Sequence, residues 1–575
     1  MRLTQVTLSN KSVVFILFTA ALLTAIGFFI PVQGFWVTDC GMRYLQLINI
    51  VDRHHFGGFW LDYPLSNEDP NYELLPMGRI QTFVHNGRLF AQYPPWFNYV
   101  CAPFYAVLGK VGLRVLPLVA AFLLLWSTYA TARFLGHSRP GLATLGVLFA
   151  TPILPYVYIY WDLIPALAFA VTGQYFFLQA VRRQSFRYAV FSSFFLWLAF
   201  VMREEYLLWT AGFFAAAISL RFPIRLLITT AAVFLTGALI VMAVNMHFIG
   251  SPLFFRAITG RSTVWDYTWS LSSRGWVAYR YMATVTGEVF RDCGIFVALC
   301  GLAFLPLAQR PVHQLALCLA AFIAALYVRT ISWDFSKPVV TSFLVNSFAS
   351  ASPIAFLGLR LWQTPMRNSE GAGESRWLQL LCLTATIFLG ITLWLSIPNS
   401  AVGLNFGPRL LLPVYPAFML GAATVVESVW RQRFVPLVKY SCFVLCGLVI
   451  LGVFDSLFYL VRLSIQQFQI ERMRVAMEST EPHRAILTEK EWLATMLPEL
   501  FYQRPIMAAW DAQRGMRALD VAKKLSPEGV LVVTSKSSPP RWLSQAKNIE
   551  QIDIASKVKF VDTAFSFYLF RASIE

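Results

Sequence analysis

The feature that most restricts this chain is an uninterrupted apolar run, VVFILFTAALLTAIGFFIPV over residues 13–32, which is repeated in kind along most of the sequence. Crossing the hydrocarbon core of a bilayer takes about 20 helical residues, and this run meets that length while lacking a small-residue cleavage site. It therefore reads as a first spanning helix. Further apolar segments begin near Val115, Gly141, Ile164, Tyr188, Tyr206, Leu226, Gly294, Gln314, Val340, Trp377, Leu410 and Val435, which predicts about 13 spans. Of the 575 residues 57% are hydrophobic and 13% charged, and a water-soluble core of this size could not hide so much apolar side chain. A soluble enzyme is excluded.

The formal net charge of +17 comes from 47 Lys and Arg against 30 Asp and Glu. In a multi-spanning chain this excess reports topology before it reports a nucleic-acid partner, because cytoplasmic loops collect Lys and Arg. Arg2 and Lys11 precede the first run, which puts the amino terminus in the cytoplasm. Arg133/Arg139, Arg182/Arg183/Arg187, Arg221/Arg225, Arg310, Arg360/Arg367/Arg376 and Arg431/Arg433/Lys439 then fall at every second connection. An odd number of spans leaves the carboxyl terminus outside. The expected organisation is a membrane domain over 1–465, with a first outer loop at about 33–112, followed by a small extracytoplasmic α/β domain over 466–575.

The tail supports that division by its pattern. RAILT (484–488), PIMAA, GVLVVTS and FSFYLF read as strands, and the stretches around Trp492–Tyr502 and Gln513–Lys524 as helices. It contains neither GxGxxG nor a Walker glycine run, so nucleotide binding has no support. Of the eight cysteines, Cys300, Cys318, Cys382, Cys442 and Cys446 lie inside apolar runs and none forms a CxxC pair; neither a disulfide framework nor a metal site is expected. No 20–50 residue repeat and no inverted pair of halves is visible.

Charged groups near a bilayer are costly unless they face water or a site, so the acidic residues beyond the helix ends draw attention. Asp39 opens DCGMRYLQLINIVDRHH, where Tyr44, Leu47, Ile48, Val51 and His55 share one helical face and Asp39, Arg43, Gln46 and Arg53 the other. This predicts an amphipathic helix on the membrane surface. A solvated polar face with an Asp39–Arg43 pair is one reading of it, a site the other. Asp162 begins a helix in YIYWDLIP, where an N-cap is the alternative to a role in chemistry. Arg203, Glu204 and Glu205 interrupt LAFVMREEYLLW, and GPRLLLPVYP brings Arg409 to the outer boundary.

These elements in this order, together with YPPWFNYVCAPFYAVLG, resemble the GT-C superfamily of membrane glycosyltransferases. The likeness is to the bacterial branch related to protein O-mannosyltransferases and the lipid A aminoarabinose transferase, and it covers roughly the first three quarters of the chain. The resemblance implies transfer of a sugar from a polyprenyl-phosphate carrier to a glycan, lipid or protein acceptor on the outer face of a bacterial inner membrane. By position Asp39 would be the general base and Asp162 a second acidic residue of the catalytic site, shaping the same cavity; helix spacing puts Arg43 one turn from Asp39, where it can keep Asp39 ionised. Arg43, Arg203, Glu204, Lys337, Arg409 and Tyr93 would bind substrate, with Arg203, Lys337 and Arg409 on the carrier phosphate. Neither cofactor, metal nor nucleic acid is implied. The chain departs from many relatives in having Asp39-Cys40 where an acidic pair stands, and Arg203-Glu204-Glu205 where they read RPE or KGP. A transporter or flippase of a lipid-linked precursor, and a noncatalytic scaffold, are the competing classes.

Overall fold

The computed structural model describes residues 10–32, 35, 37–53, 59–77, 81–255, 270–332, 347–360, 372–396, 408–480, 484–534, 536–545, 547–552 and 568–573. The chain enters through α1 (Asn10–Phe29) and α2 (Thr38–Val51), then forms β1 (Trp60–Leu61), β2 (Thr82–His85) and β3 (Arg88–Ala91). The helical body follows as α3 (Trp96–Leu108), α4 (Val115–Phe134), α5 (Pro140–Phe149), α6 (Ile153–Tyr156), α7 (Leu163–Arg183), α8 (Phe186–Met202), α9 (Tyr206–Ser219) and α10 (Ile224–Ile249). It continues with α11 (Leu271–Met282), α12 (Val289–Cys300), α13 (Pro311–Ser332), α14 (Phe348–Ala351), α15 (Ala372–Leu395), α16 (Val414–Arg431) and α17 (Pro436–Thr480).

Among the described residues eight helical stretches are long and apolar enough to cross a membrane, and three shorter apolar helices, α5, α8 and α9, accompany them. The expected spans beginning near Gly141, Tyr188 and Tyr206 are these shorter helices, so among the described residues the count of 13 is not confirmed. The reasons are local. Pro152 and Pro155 bend the chain out of α5 into α6, and the Arg203-Glu204-Glu205 turn stops α8 and restarts the chain as α9. The span expected near Leu410 is α16, which carries Glu427 and Arg431 in its final turns. The one expected near Val340 begins outside the described residues. YPPWFNYVCAPFYAVLG forms α3, with Pro103 inside it, and a 3-10 turn over Gly109–Arg114 joins it to α4.

α7 is the centre of the body, with 89% of its apolar window buried, whereas α1 and α10 present rows of exposed apolar side chains such as Phe28, Phe29, Leu239 and Ile240. Those rows suit lipid, where spanning helices keep their apolar faces outward. α17 has 45 residues, about 68 Å at 1.5 Å per residue and twice a bilayer core. It carries the chain from the membrane body to the tail without a break.

The tail folds as β4 (Ala485–Thr488), α18 (Leu493–Met496), α19 (Pro498–Gln503), β5 (Ile506–Ala508), α20 (Ala512–Leu525), β6 (Val530–Thr534), β7 (Lys547–Ile552) and β8 (Tyr568–Ser573). The sheet order is β5-β4-β6-β8-β7, with β4 parallel to β5 and β6, and β8 antiparallel to β6 and β7. β4 and β6 are buried at every position, as the central strands of a covered parallel sheet are. Strand β7 has no counterpart in the sequence reading.

The first outer loop also contains a small antiparallel sheet, β1-β3-β2, which the sequence reading did not anticipate. Its signal is present in FVHNGRLFA: Asn86 (φ 50°) and Gly87 (φ 70°) both take the left-handed conformation that a two-residue hairpin turn demands.

A charged cluster where four helix ends meet

α7 and α8 run antiparallel, so the residue entering α7, Asp162, and the residue leaving α8, Arg203, lie on one side of the body. The starts of α2 and α16 are there too, which brings in Asp39, Arg43 and Arg409. Two ion pairs of different character result.

The inner pair is sealed. Arg43 Nε donates to Asp162 Oδ2 at 3.2 Å and its Nη2 contacts the same oxygen, while Arg203 Nη1 donates to Oδ1 at 2.7 Å. Asp162 is 1% exposed and Arg43 2%. Arg203 is held further by Glu205, whose Oε1 accepts from Nε at 2.6 Å. Asp162 stands at the N-cap position of α7 but makes no side-chain cap bond, because both its oxygens are occupied by guanidinium groups. Arg43, expected to pair with the Asp39 side chain, reaches only the Asp39 carbonyl, at 3.4 Å.

The outer pair is open. Arg409 Nη1 donates to Asp39 Oδ2 at 2.6 Å, with side chains 23% and 15% exposed. The Tyr93 hydroxyl also donates to Asp39, and the Tyr93 ring lies under Arg43, 3.8 Å from its guanidinium carbon to the ring centroid. Burial opposes ionisation of Asp39, but Arg409, Arg43 and Tyr93 outweigh it and hold the carboxyl below the usual range. Arg409 is in turn made harder to deprotonate by Asp39. Its guanidinium carbon sits 5.2 Å from the Trp161 ring, and Arg409 Nε and Trp161 Nε1 are buried without a hydrogen-bond partner. Two N–H donors are thus left unmet beside an accessible carboxylate.

A neutral network supports Tyr93 from behind. Tyr160 donates to Asn98 Oδ1 at 2.7 Å, Asn98 Nδ2 to Gln46 Oε1 at 2.9 Å, and Gln46 Nε2 to the Tyr93 carbonyl at 2.9 Å. The sequence reading singled out neither Asn98 nor Tyr160. Amide and hydroxyl side chains inside apolar aromatic stretches were the available signal, since each must find a partner once buried.

Six of the eight residues singled out from sequence, Asp39, Arg43, Tyr93, Asp162, Arg203 and Arg409, share this cluster. Glu204 sits beside it but serves another segment: its oxygens accept from the amides of Phe254 at 2.7 Å and Phe255 at 3.2 Å, beyond the end of α10. Burial pushes the Glu204 pKa up to about 7 against the pull of those amides. Lys337 lies outside the described residues. A further buried ion pair, Arg329 on α13 with Asp455 on α17, was missed because each residue is a single charge in a long apolar run.

The helix on which Asp39 stands is not the surface helix expected. Every residue from Cys40 to Ile50 is buried. One side packs in the membrane body through Cys40, Tyr44, Leu47 and Ile48. The other side enters the tail's core through Met42 and Leu45. The tail domain covers the face that would otherwise be solvated. Among the described residues no group of three or more His, Cys, Asp or Glu could hold a metal ion.

Fold and site together define a multi-pass helical membrane protein whose charged cluster is roofed by an α/β domain. No protein-family model and no curated protein matches the chain. Among solved structures, it is similar to ArnT from Cupriavidus metallidurans bound to undecaprenyl phosphate, at 13% identity and TM-score 0.48 over 98% of each chain. It is also similar to the Archaeoglobus fulgidus oligosaccharyltransferase in its apo form, at 12% identity and TM-score 0.49, over 91% of this chain and 69% of that one. A third similar structure is AglB of the same organism with an inhibitory peptide and a dolichol-phosphate, at 11% identity and TM-score 0.44, over 91% and 70%.

Proposed function

We propose that this chain is a membrane glycosyltransferase of the GT-C type that moves a sugar from a polyprenyl-phosphate carrier to an acceptor hydroxyl or amine on the outer face of a bacterial inner membrane. The observation that carries the reading is the pairing of an accessible carboxylate, Asp39, with a guanidinium, Arg409, that keeps an unmet donor beside the unmet Trp161 N–H. A carrier phosphate held in the bilayer presents its sugar at the depth of such a cluster.

Asp39 is the general base in this scheme. As the acceptor oxygen or nitrogen bonds to the anomeric carbon, its proton passes to the Asp39 carboxylate. The bond from the anomeric carbon to the phosphate oxygen breaks, and the electron pair leaves with the polyprenyl phosphate. Displacement from the face opposite the phosphate inverts the anomeric configuration. Arg409 offers charge-assisted hydrogen bonds to the departing phosphate. Asp162 is given a different task from Asp39: with both oxygens bound it fixes Arg43 and Arg203, and through Arg43 the Tyr93 ring. The amino terminus is cytoplasmic in this reading and the domain beyond residue 466 extracytoplasmic. Neither a cofactor nor a metal has a role in this scheme.

The test is consumption of a polyprenyl-phosphate sugar by the purified protein in lipid, compared with Asp39→Asn. Removing a general base is expected to lower turnover by about 10²–10⁴-fold with donor binding retained. A folded, donor-binding Asp39→Asn protein that turns over within a few-fold of the parent refutes the assignment. Substrate that crosses the membrane without losing its sugar would favour a transporter instead.

A further inference from the structure

The tail domain does more than roof the site. α2, which bears Asp39 in its first turn, is wedged between two cores, and its closest approach to the tail is backbone to backbone. An ideal Cβ built on Gly41 would lie 1.4 Å from the carbonyl oxygen of Thr495 in α18 and 2.6 Å from its carbonyl carbon. Carbon atoms in contact sit about 3.5–4.0 Å apart, so nothing larger than glycine fits without α2 or α18 moving. Gly41 stands midway between Asp39 and Arg43, so any displacement here is passed to both ion pairs.

The seam is fastened on either side of that contact. Lys110, in the turn after α3, pairs with Glu499 on α19 at 2.7 Å. Arg53, just past α2, lies 5.0 Å from the ring centroid of Tyr502. Farther out, Asp69 of the first outer loop is fully buried and accepts from the Leu74 amide at 2.7 Å, the Tyr63 hydroxyl at 3.0 Å and Arg517 of α20 at 3.2 Å. Leu74 then continues the tail sheet by accepting the Ala508 amide at 2.8 Å. The first outer loop and the tail share one core, in which Met42 and Leu45 of α2 are buried together with Leu493, Leu497 and Leu500.

From this geometry we infer that Gly41 is a positioning residue for the reaction proposed above, and that the α/β domain, pressing on α2 through Thr495, sets the height of Asp39 against Arg409 and Tyr93. The inference rests on that functional reading for its catalytic consequence but not for its geometric one. A shift of about 1 Å at a reacting group can cost on the order of a hundredfold in rate. An added methyl at Gly41 demands a larger shift than that.

The experiment uses the full chain in lipid nanodiscs and compares the parent with Gly41→Ala and, at the Lys110 end of the seam, Glu499→Gln. Two readouts are taken: kcat and donor KM, and the pH dependence of Asp39 labelling by a water-soluble carbodiimide, followed by mass spectrometry. Gly41→Ala is expected to lower kcat at least tenfold with donor KM within threefold of the parent. The labelling midpoint should move to higher pH as Asp39 loses Arg409 and Tyr93. Glu499→Gln should change both readouts in the same direction by less, and it supplies the answer if Gly41→Ala does not fold. Unchanged kcat and an unchanged labelling midpoint in a folded Gly41→Ala protein overturn the inference, as does a loss of thermal stability alone. A shifted midpoint in a protein that transfers no sugar even as the parent would leave Gly41 positioning Asp39 and remove the glycosyltransferase reading instead.

Discussion

Asp39 and Arg409 are 370 residues apart in the chain, and their side chains meet at 2.6 Å. The partner that local spacing offered to Asp39, Arg43 one helical turn away, is bound instead to Asp162. The cluster therefore separates an accessible pair from a sealed one, and the two should respond differently to substitution.

Replacing Arg409 by Ala removes the charge that keeps Asp39 ionised and a ligand for the carrier phosphate. The Asp39 carboxyl is held below its usual range in the parent, so it stays ionised as the pH falls. In Arg409→Ala its pKa rises, and the acid limb of the kcat/KM profile is expected at higher pH, together with a weaker donor KM. Arg409→Lys should restore part of the donor affinity, because an ammonium supplies charge without the planar fork of the guanidinium. Steady-state kinetics across pH 4–9 check this, and an unmoved acid limb would exclude Asp39 as the titrating base.

Asp162→Asn leaves Arg43 buried without its carboxylate partner and Arg203 with Glu205 alone. Breaking a buried ion pair from one side costs about 3–5 kcal/mol. The expected result is a large drop in thermal stability in detergent, read by tryptophan fluorescence, with activity lost in proportion to the folded fraction. A stable Asp162→Asn protein with the parent's turnover would remove the role given to Asp162 in fixing Arg43 and Tyr93.

Glu204 carries the opposite pH signature from Asp39. Burial raises its pKa to about 7, above the ordinary value of about 4.3 for the unfolded chain. The folded state therefore binds this proton more tightly than the unfolded state. The contribution to stability is present at low pH and declines as the pH rises from roughly 4.3 through 7. Glu204→Gln should flatten that decline and leave the protein more stable than the parent at pH 8–9. Thermal melting at pH 5 and pH 8.5 decides it.

The Arg329–Asp455 pair between α13 and α17 is 1% and 7% exposed. Replacing Arg329 by Met alone takes the Arg329 counter-charge from a buried carboxylate and should destabilise the protein by about 3–5 kcal/mol. The double variant Arg329→Met, Asp455→Leu, which removes both charges, should recover most of the stability. If turnover recovers with it, the pair is a structural lock between the helices; recovery of stability without turnover would make it part of the site.

Some of this protein was written in the local sequence. Apolar runs of bilayer length dictate spanning helices because an unpaired backbone cannot cross hydrocarbon, and strands β4 and β6 follow from short aliphatic stretches, AILT and VLVVT. The composition of the cluster was also legible, because Asp39, Asp162, Arg203 and Arg409 are charged residues set against apolar helix ends. The sequence misleads where a short apolar helix has the composition of a full span, as in α5, α8 and α9, and where two turn residues carry the whole signal, as in the Asn86-Gly87 hairpin.

Pairing was decided by tertiary structure alone. Spacing along one helix ranks partners within a turn or two, and it favoured Asp39 with Arg43. Chain crossings placed Arg409 on Asp39 and gave Arg43 to Asp162, because α7, α8 and α16 end at the depth where α2 begins. The amphipathic pattern of α2 fixed which residues share a face but not what that face meets. The tail, more than 400 residues later, buries Met42 and Leu45 and turns an apparent surface helix into the wedge between two cores. Hydrophobic periodicity records that a face avoids water; only the folded chain supplies the surface that takes the water's place.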